Sequence, residues 1–249
     1  MLKVENLGFS YDDYNVLKNV NLEVKKGETI AILGRSGVGK TTLFQLITGL
    51  MSLQEGKITL DGSSDIKGEI SYMLQKDMLY GHYTVLENIM LPRIIAGSSK
   101  NEAREIALDL LSQFKMSEWA DYYPHALSGG MRQRIAFLRT AAFQRGWLLL
   151  DEAFSALDAF TRRQLHKWFI DTRERLGWSS LLITHDVDEA LILADRVYVI
   201  SGQPGSITHE CQTNFGEKDI EKVIFEDEFL MAKKELLNAL DDSINELVK

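Results

Sequence analysis

Hydrophobic residues in the first part of the chain, residues 1–33, fall into short runs that either alternate with polar residues or continue unbroken. These runs are "LKVENLGFSY", "VNLEVKKG" and "TIAILG", and glycine or polar turns separate them. Short runs of this kind are typical of β-strands. The later segment "GKITLDG" has the same character. The pattern therefore predicts a strand-rich N-terminal region.

Helical spacing replaces this pattern in three other segments. Residues 40–50, "KTTLFQLITGL", predict a helix that ends near a glycine, and residues 84–118 predict mostly helix. From residue 128 to about residue 143, apolar residues recur at spacings of four, three and four, which places them on one face of a helix. These residues are Met131, Ile135, Leu138 and Ala142.

Three later runs, "WLLLDE", "LLITHD" and "RVYVI", are almost continuously apolar. Such runs fit strands that are buried on both faces of a parallel sheet. Because strands alternate with helices, we predict an α/β fold with a mostly parallel sheet. The helix-rich stretch between Gln75 and Ser128 interrupts the alternation. We therefore predict a helical subdomain inserted at about residues 76–145.

The C-terminal tail has its own composition and spacing. Five apolar residues follow a seven-residue spacing that Lys233 breaks once: Leu230, Leu237, Leu240, Ile244 and Leu247. The first interpretation is a helix packed on the body of the chain. The second interpretation is a contact with another copy or with a partner protein. The repeat is too short to predict a coiled coil.

Charge and cysteine content narrow the class of protein. The net charge is −8, of which residues 217–249 contribute −5 and the remainder −3. Neither part has the basic excess expected of a nucleic-acid-binding protein. The single cysteine, Cys211, fits a reducing compartment. No apolar run approaches the length of a membrane span, and the first residues do not resemble a secretion signal.

A phosphate-binding loop is the first chemical motif. "GRSGVGKTT" follows the apolar run "TIAIL", precedes a predicted helix and matches G-x-x-x-x-G-K-[ST]. The glycines let the backbone wrap a phosphate, the lysine supplies charge to the outer phosphates, and the first threonine hydroxyl can reach Mg²⁺. The predicted ATP-binding residues are Gly34, Arg35, Ser36, Gly37, Val38, Gly39, Lys40, Thr41 and Thr42.

Two carboxylates end the apolar run "LLLDE". A buried strand there would deliver both side chains to one edge of the sheet. We predict that Asp151 holds Mg²⁺ through water and that Glu152 activates the attacking water as a general base. Taken alone, the pair also fits a structural helix cap, and the phosphate-binding loop decides between the two interpretations.

The segment "ALSGGMRQR" looks like a second helix start with free N–H groups, about ninety residues after the first. With it, the motifs stand in the order found in the ATPase subunits of ABC transporters, and the chain resembles that family. "LSGGM" is similar to the signature motif, Tyr11 to the residue that stacks on adenine, and Gln75 to the Q-loop glutamine. Asp158 is similar to the D-loop aspartate and His185 to the switch histidine. Individually, each of these residues also fits a structural role.

The resemblance covers residues 1–208 and implies a P-loop NTPase core, an N-terminal antiparallel β subdomain and the inserted helical subdomain. It leaves residues 209–249 as an acidic, mainly helical tail. It implies ATP and Mg²⁺ as cofactors, with Thr41, Gln75 and Asp151 on the metal and Glu152, His185 and Gln75 as catalytic residues. It further implies that Ser128, Gly129 and Gly130 bind the γ-phosphate held by a second copy, so that two chains enclose two ATP molecules.

The resemblance also implies partners. The chain would lie at the cytoplasmic face of the cell membrane against separate permease subunits, and an extracytoplasmic binding protein would deliver the solute. No nucleic-acid partner is expected. The segment "YYPHALSGGMRQRIAFLRT" is similar to importer subunits. The phrases "LDAFTRRQLHKWF", "THDVDEALILADRVYVI" and "SGQPGSI" are together similar to the nitrate/sulfonate/taurine group of importers, which includes relatives for thiamine pyrimidine precursors. Two departures are Ala153, where proline is usual, and Ala126, where glutamate is common.

Residues 76–93 follow the glutamine and are expected to form the groove that receives a permease helix. Some of Met78, Leu79, Tyr80 and Tyr83 should then be exposed, although the run also fits a core segment. The alternative functions are an ABC ATPase driving export or lipoprotein extraction, a soluble ABC ATPase acting on ribosomes or DNA, and a P-loop kinase. The importer-like phrases argue against export or lipoprotein extraction. The single nucleotide domain argues against a ribosome- or DNA-acting ATPase, and "LSGGM" argues against a kinase.

Overall fold

A computed structural model of the chain describes residues 1–213, 215 and 220–245. The strands are β1 (Leu2–Tyr11), β2 (Tyr14–Val24), β3 (Thr29–Leu33), β4 (Glu55–Leu60), β5 (Ser71–Met73), β6 (Trp147–Asp151), β7 (Ser179–Thr184), β8 (Arg196–Ser201) and β9 (Ser206–Gln212). The helices are α1 (Lys40–Ile47), α2 (Val85–Ile95), α3 (Lys100–Gln113), α4 (Gly129–Ala142), α5 (Ala159–Leu176), α6 (Val187–Leu193), α7 (Ile220–Val223) and α8 (Asp227–Asn245). Short 3₁₀ turns at Ser117–Trp119 and Pro124–Ala126 precede α4.

Two sheets form the framework. The N-terminal sheet has the order β2-β1-β4, and its strands are antiparallel. The larger sheet has the order β5-β6-β7-β3-β8-β9, and only its edge strand β9 runs antiparallel. The continuously apolar runs form β6, β7 and β8, each buried along its whole length. The predicted mostly parallel sheet and antiparallel N-terminal region are confirmed.

Between β5 and β6 the described elements are helices, as predicted for the insertion. The helix-rich segment predicted over residues 84–118 is divided after α2, where Gly97 has a φ of 93°. A capping box begins α2, with Thr84 accepting from the Glu87 N–H and Glu87 accepting from the Thr84 N–H. The amphipathic face of α4 is buried at Ile135 and Leu138, and its side chains share one core with α2, α3 and the large sheet.

The boundary predicted at residue 208 falls inside β9, and this placement is wrong. Residues 206–212 pair antiparallel with β8, with one register shift between Val199 and Ile200, so the sheet continues across the expected division. Periodicity did not reveal this strand because its side chains are only partly buried. Cys211 lies in β9, and burial raises the pKa of its thiol. A boundary between the ATPase domain and the tail that leaves the sheet intact lies after β9, which ends at Gln212.

The tail helix α8 packs on the body of the chain through Phe229 and Leu236, which are buried. The predicted stripe is one residue out of phase, because Leu230 and Leu237 are exposed. Lys233, which broke the repeat, donates to Asp188 of α6 at 2.8 Å. The side chain of Ile244 and all of Leu247 lie outside the described residues. Within the described part of the chain, no helix combines the length and apolarity needed to cross a bilayer.

Candidate functional site

The loop between β3 and α1 is shaped by close backbone packing. A Cβ at Gly34 would lie 2.6 Å from the Ile200 carbonyl oxygen, and a Cβ at Gly39 would lie 2.7 Å from Leu17 Cδ2. Gly39 also has a φ of 106°, which non-glycine residues rarely adopt. It begins α1, and no side chain caps that helix. The first N–H groups of α1 are therefore available to an anion.

Lys40 is the first residue of α1, and its side chain contacts the backbone of this loop. Its Nζ donates to the Gly34 carbonyl at 2.7 Å and to the Arg35 carbonyl at 2.9 Å. Burial lowers the pKa of Lys40, while Glu152 and Asp151 act in the opposite direction. The ammonium group is thus held next to the loop backbone with carboxylates nearby, where phosphate oxygens could replace the carbonyls as its partners.

Asp151 ends β6 and faces α1. The Thr41 hydroxyl donates to Asp151 Oδ2 at 3.1 Å, and the Tyr72 hydroxyl donates to the same oxygen at 3.3 Å. Burial raises the pKa of Asp151, and the two hydroxyl donors partly oppose that rise. A hydroxyl and a carboxylate that meet in this way supply the hard oxygen ligands that Mg²⁺ prefers. The residues present therefore fit a magnesium ion shared with bound phosphates.

Glu152 adopts a left-handed conformation, with a φ of 49°. Its N–H donates to the Ile183 carbonyl at 2.9 Å, which ties the turn to β7. Gln75 Nε2 donates to Glu152 Oε2 at 3.0 Å, and His185 Nδ1 lies 3.7 Å from Glu152 Oε1. This carboxylate is held between an amide and an imidazole beside the phosphate-binding loop, which is a suitable position for a general base.

One cavity of about 370 Å³ collects most of the predicted residues. Its lining includes Tyr11, Ser36, Gly37, Gly39, Lys40, Thr41, Thr42, Gln75, Asp151 and Glu152. Arg35 and Val38 line an adjoining cavity of about 430 Å³ that shares Ser36 and Gly37 with the first. Gly34 does not line either cavity and packs against Ile200. His185 is 63% exposed and contacts Glu152 without lining either cavity. Tyr11 is half exposed and packs its ring edge-to-face on Phe9.

The remaining predicted residues lie elsewhere. Ser128 caps α4 by accepting a hydrogen bond from the Met131 N–H at 3.3 Å. A Cβ at Gly129 or Gly130 would lie at least 3.8 Å from any neighbouring atom. Asp158 caps α5, and the Thr161 and Phe160 N–H groups lower its pKa. Neither group of residues lines the two cavities beside the phosphate-binding loop. The structure therefore assembles one part of the predicted site and leaves the other part on a separate surface.

Sequence reasoning missed three residues that line the cavity, Tyr14, Val16 and Ile183, and it also missed Tyr72, which contacts Asp151. Tyr72 donates to Asp151, and Tyr14 and Val16 line the space beside Tyr11. Burial and the neighbouring Asp151 raise the pKa of Tyr72, so it remains a hydroxyl donor. Its strand, β5, is three residues long, which is too short for a periodic pattern. Its position three residues before Gln75 was the only signal in the sequence.

A separate groove of about 460 Å³ lies between β5, α2 and α4. Its lining is mainly apolar and includes Leu74, Met78, Tyr80, Ile95 and Phe143. Met78 and Tyr80 are exposed, as predicted for part of this segment, whereas Leu79 and Tyr83 are only partly accessible.

Comparison with known proteins identifies the family that combines these features. The family described as ABC transporter matches residues 17–155, from the second strand to the turn after Glu152. The chain belongs to the ABC transporter family. It is an ATPase whose hydrolysis of ATP is coupled to transport, and the resemblance inferred from the motifs is confirmed.

Named relatives share most of their length with this ABC ATPase. It is 42% identical over 205 residues to the formylaminopyrimidine import ATP-binding protein ThiZ of Halalkalibacterium halodurans, covering 82% of this chain and 81% of that protein. It is 37% identical over 220 residues to the taurine import ATP-binding protein TauB of Yersinia pestis, covering 88% and 86%. The dimeric structure of the cassette MJ0796 bound to ADP and Pi has a TM-score of 0.78 and 29% identity, covering 86% of this chain and 99% of that one.

Proposed function

We propose that this chain is the ATP-hydrolysing subunit of an importer for a small organic or inorganic solute, acting on a separate membrane permease. The observation that carries the proposal is the position of Glu152. Its carboxylate lies between Gln75 and His185, next to the Thr41–Asp151 pair and the loop that holds Lys40. The proximity of these groups supports a general base, a metal-binding pair and a phosphate-binding loop that act on one nucleotide.

The proposed roles combine these contacts with the resemblance of the motifs to those of the ABC transporter family. Tyr11 stacks on adenine, and the loop from Gly34 to Thr42 surrounds the phosphates. Thr41, Gln75 and Asp151 would hold Mg²⁺, which would supply positive charge to the phosphate oxygens. Glu152 accepts a proton from the attacking water, and His185 binds the γ-phosphate from the side of β7.

Two copies complete the site in this proposal. Ser128, Gly129 and Gly130 lie outside the cavity that holds Lys40, and the first N–H groups of a helix are favourable for phosphate. We therefore place the α4 start of one chain on the γ-phosphate bound by another, with Asp158 at the same interface. The dimeric form of the related cassette MJ0796 supports this arrangement. Hydrolysis removes the bridging phosphate and lets the copies separate.

The permease is expected in the apolar groove lined by Met78 and Tyr80, because an exposed apolar patch next to the Gln75 loop suits a protein partner. This partner places the chain at the cytoplasmic face of the membrane. The relatives ThiZ and TauB are named for import of a formylaminopyrimidine and of taurine, which supports a thiamine-precursor or nitrate/sulfonate/taurine type of solute. An extracytoplasmic binding protein would then deliver the solute.

The test is purification of the tagged chain in mild detergent from its native membranes, followed by identification of the proteins that accompany it. We expect a permease with several spans and a secreted binding protein. A permease without a binding protein would instead support export or lipoprotein extraction. Ribosomes or nucleic acid in place of a permease would overturn the transport proposal.

A matched pair of variants locates the contact. Met78→Lys places a charge in the groove and should remove the permease from the purified material. Phe225→Lys changes a comparably exposed apolar residue, 77% exposed, near the start of α8 and should leave the permease bound. Equal recovery with both variants would contradict the proposed docking groove.

A further inference from the structure

Two helices beside the site are joined by a buried pair of ionisable side chains. His166 of α5 places Nε2 3.0 Å from Oε1 of Glu189 in α6, and both side chains are more than nine-tenths buried. A buried polar group is strongly favoured to keep its partner, because losing it leaves the other group without a hydrogen bond in the interior. The pair therefore fixes the distance between α5 and α6 at this level.

A second contact joins the same helices closer to their starts. Arg162 Nη1 lies 3.6 Å from Asp186 Oδ2, and Arg162 Nη2 donates to the Leu157 carbonyl at 3.0 Å. Asp186 caps α6 and directly follows His185, while Asp158 caps α5 and directly follows Leu157. The two connections are one helical turn apart, so they hold both helix starts in a fixed register.

The turn that carries Glu152 meets the same pair. The ring of Phe154 packs edge-to-face on the His166 imidazole, with centroids 4.9 Å apart and an interplanar angle of 87°. Phe154 is fully buried and lies two residues after Glu152. The His166 imidazole belongs to α5, which Asp158 caps. It contacts both the turn after β6, through Phe154, and α6, which begins directly after the His185 loop.

We propose that His166 and Glu189 form a positioning pair that holds the switch histidine His185 and the D-loop residue Asp158 in register with Glu152. Neither member touches the nucleotide cavity, so the pair acts through the loops and not on the reacting atoms. The proposal rests on the proposed function of those loops. It assigns a role to a histidine that the motifs did not include.

Three variants separate this role from simple stability. His166→Leu removes the imidazole, Glu189→Ala removes the carboxylate from the other helix, and His166→Gln retains an N–H donor of similar reach. We expect kcat for ATP hydrolysis to fall about tenfold in the first two, because small displacements of catalytic groups reduce rates by this order. KM for ATP should stay constant, since the loop around Lys40 is unchanged, and His166→Gln should recover most of kcat.

The chain offers a matched control. His209 of β9 places Nε2 2.8 Å from Oε1 of Glu235 in α8, which is the same chemistry away from the catalytic loops. His209→Leu should leave kcat unchanged. The double variant His166→Leu/Glu189→Ala should lose no more kcat than either single variant, because the two side chains act as one unit. Unchanged kcat in both single variants at an intact fold, or no recovery with His166→Gln, would overturn the proposal.

Hydrogen exchange of the nucleotide-free chain gives a readout that does not depend on activity. His166→Leu should accelerate exchange at the starts of α5 and α6 but not in α1. If the wild-type chain hydrolysed no ATP, the proposed function would fail, while the exchange result would still report whether the pair joins the two loops. Equal exchange at both helix starts in the variant and the wild type would overturn the positioning role.

Discussion

Helices α1 and α4 both begin at glycine-containing turns, where we propose that phosphate binds, but the surroundings of the two turns differ. The start of α1 lies in the cavity with Lys40, Asp151 and Glu152, and no side chain caps it. The start of α4 is capped by its own Ser128, and a Cβ at Gly129 or Gly130 would lie 3.8 Å or more from its nearest neighbours. One start has its catalytic groups within the chain, whereas the other is open to a second molecule. This contrast is what the proposed arrangement requires, in which two copies together complete each site.

The largest expected effect comes from changing the α1 side. Glu152→Gln should lower kcat by about 10²–10⁴-fold, the range typical of a lost general base. With ATP present it should accumulate as a dimer, because the bridging γ-phosphate is retained. Lys40→Ala should be inactive and remain a monomer, because it loses the charge that binds the phosphates. Light scattering with and without ATP measures both masses, and monomers for both variants would contradict the shared site.

A mixing experiment tests the comparison directly. Lys40→Ala and Ser128→Arg should each be nearly inactive alone. In a mixed dimer, one site combines both defects, but the other combines an intact α1 start with an intact α4 start. ATPase activity should therefore appear on mixing. Continued inactivity, with mixed dimers detected by two different tags, would show that each chain uses its own α4 start.

A smaller effect is expected at the base-binding end of the α1 side. Base stacking on an aromatic ring contributes about 1–3 kcal/mol, so Tyr11→Ala should weaken ATP binding by about 5–150-fold. Tyr11→Trp keeps a stacking surface and serves as the control. Titration of the nucleotide against the monomer measures the affinity, and equal affinity in all three chains would remove Tyr11 from the site.

The smallest expected effects are on the free energy of unfolding of the nucleotide-free chain. A substitution at the start of α4 should lower this free energy, and one beside the start of α1 should raise it. Ser128→Ala removes a helix cap and should cost about 1 kcal/mol, or about 2–4 °C in the unfolding midpoint. Asp151→Asn should raise the midpoint while abolishing ATPase activity.

The sign at Asp151 follows from its pKa, which burial raises in the folded chain. The folded state then holds the proton more firmly than the unfolded state. Stability therefore falls as pH rises from the usual carboxyl range through the raised pKa. The asparagine variant should lack that fall, and thermal unfolding measured across this pH range checks it. A midpoint below that of the wild type would contradict the cost assigned to the buried carboxylate.

Elements with a local side-chain pattern could be predicted from the sequence alone. The apolar runs of β6, β7 and β8 predicted a buried parallel sheet, because strands covered on both faces have no polar alternation. The ordered motifs from Lys40 to His185 predicted the phosphate-binding loop and the ABC transporter family, because loop and strand-end chemistry depends on residues close together in the chain. The spacing of Ile135 and Leu138 likewise predicted α4 and its buried face.

Tertiary structure decided what depends on packing between distant segments. The three-residue strand β5 and the partly exposed β9 carry too few buried positions to show a period, yet they place Tyr72 on Asp151 and extend the sheet past residue 208. The buried face of α8 is set by the surface it meets, so Leu236 is inside and Leu237 is outside. The contact between His166 and Glu189 likewise joins residues 23 positions apart, and only the packing of α5 against α6 brings them together.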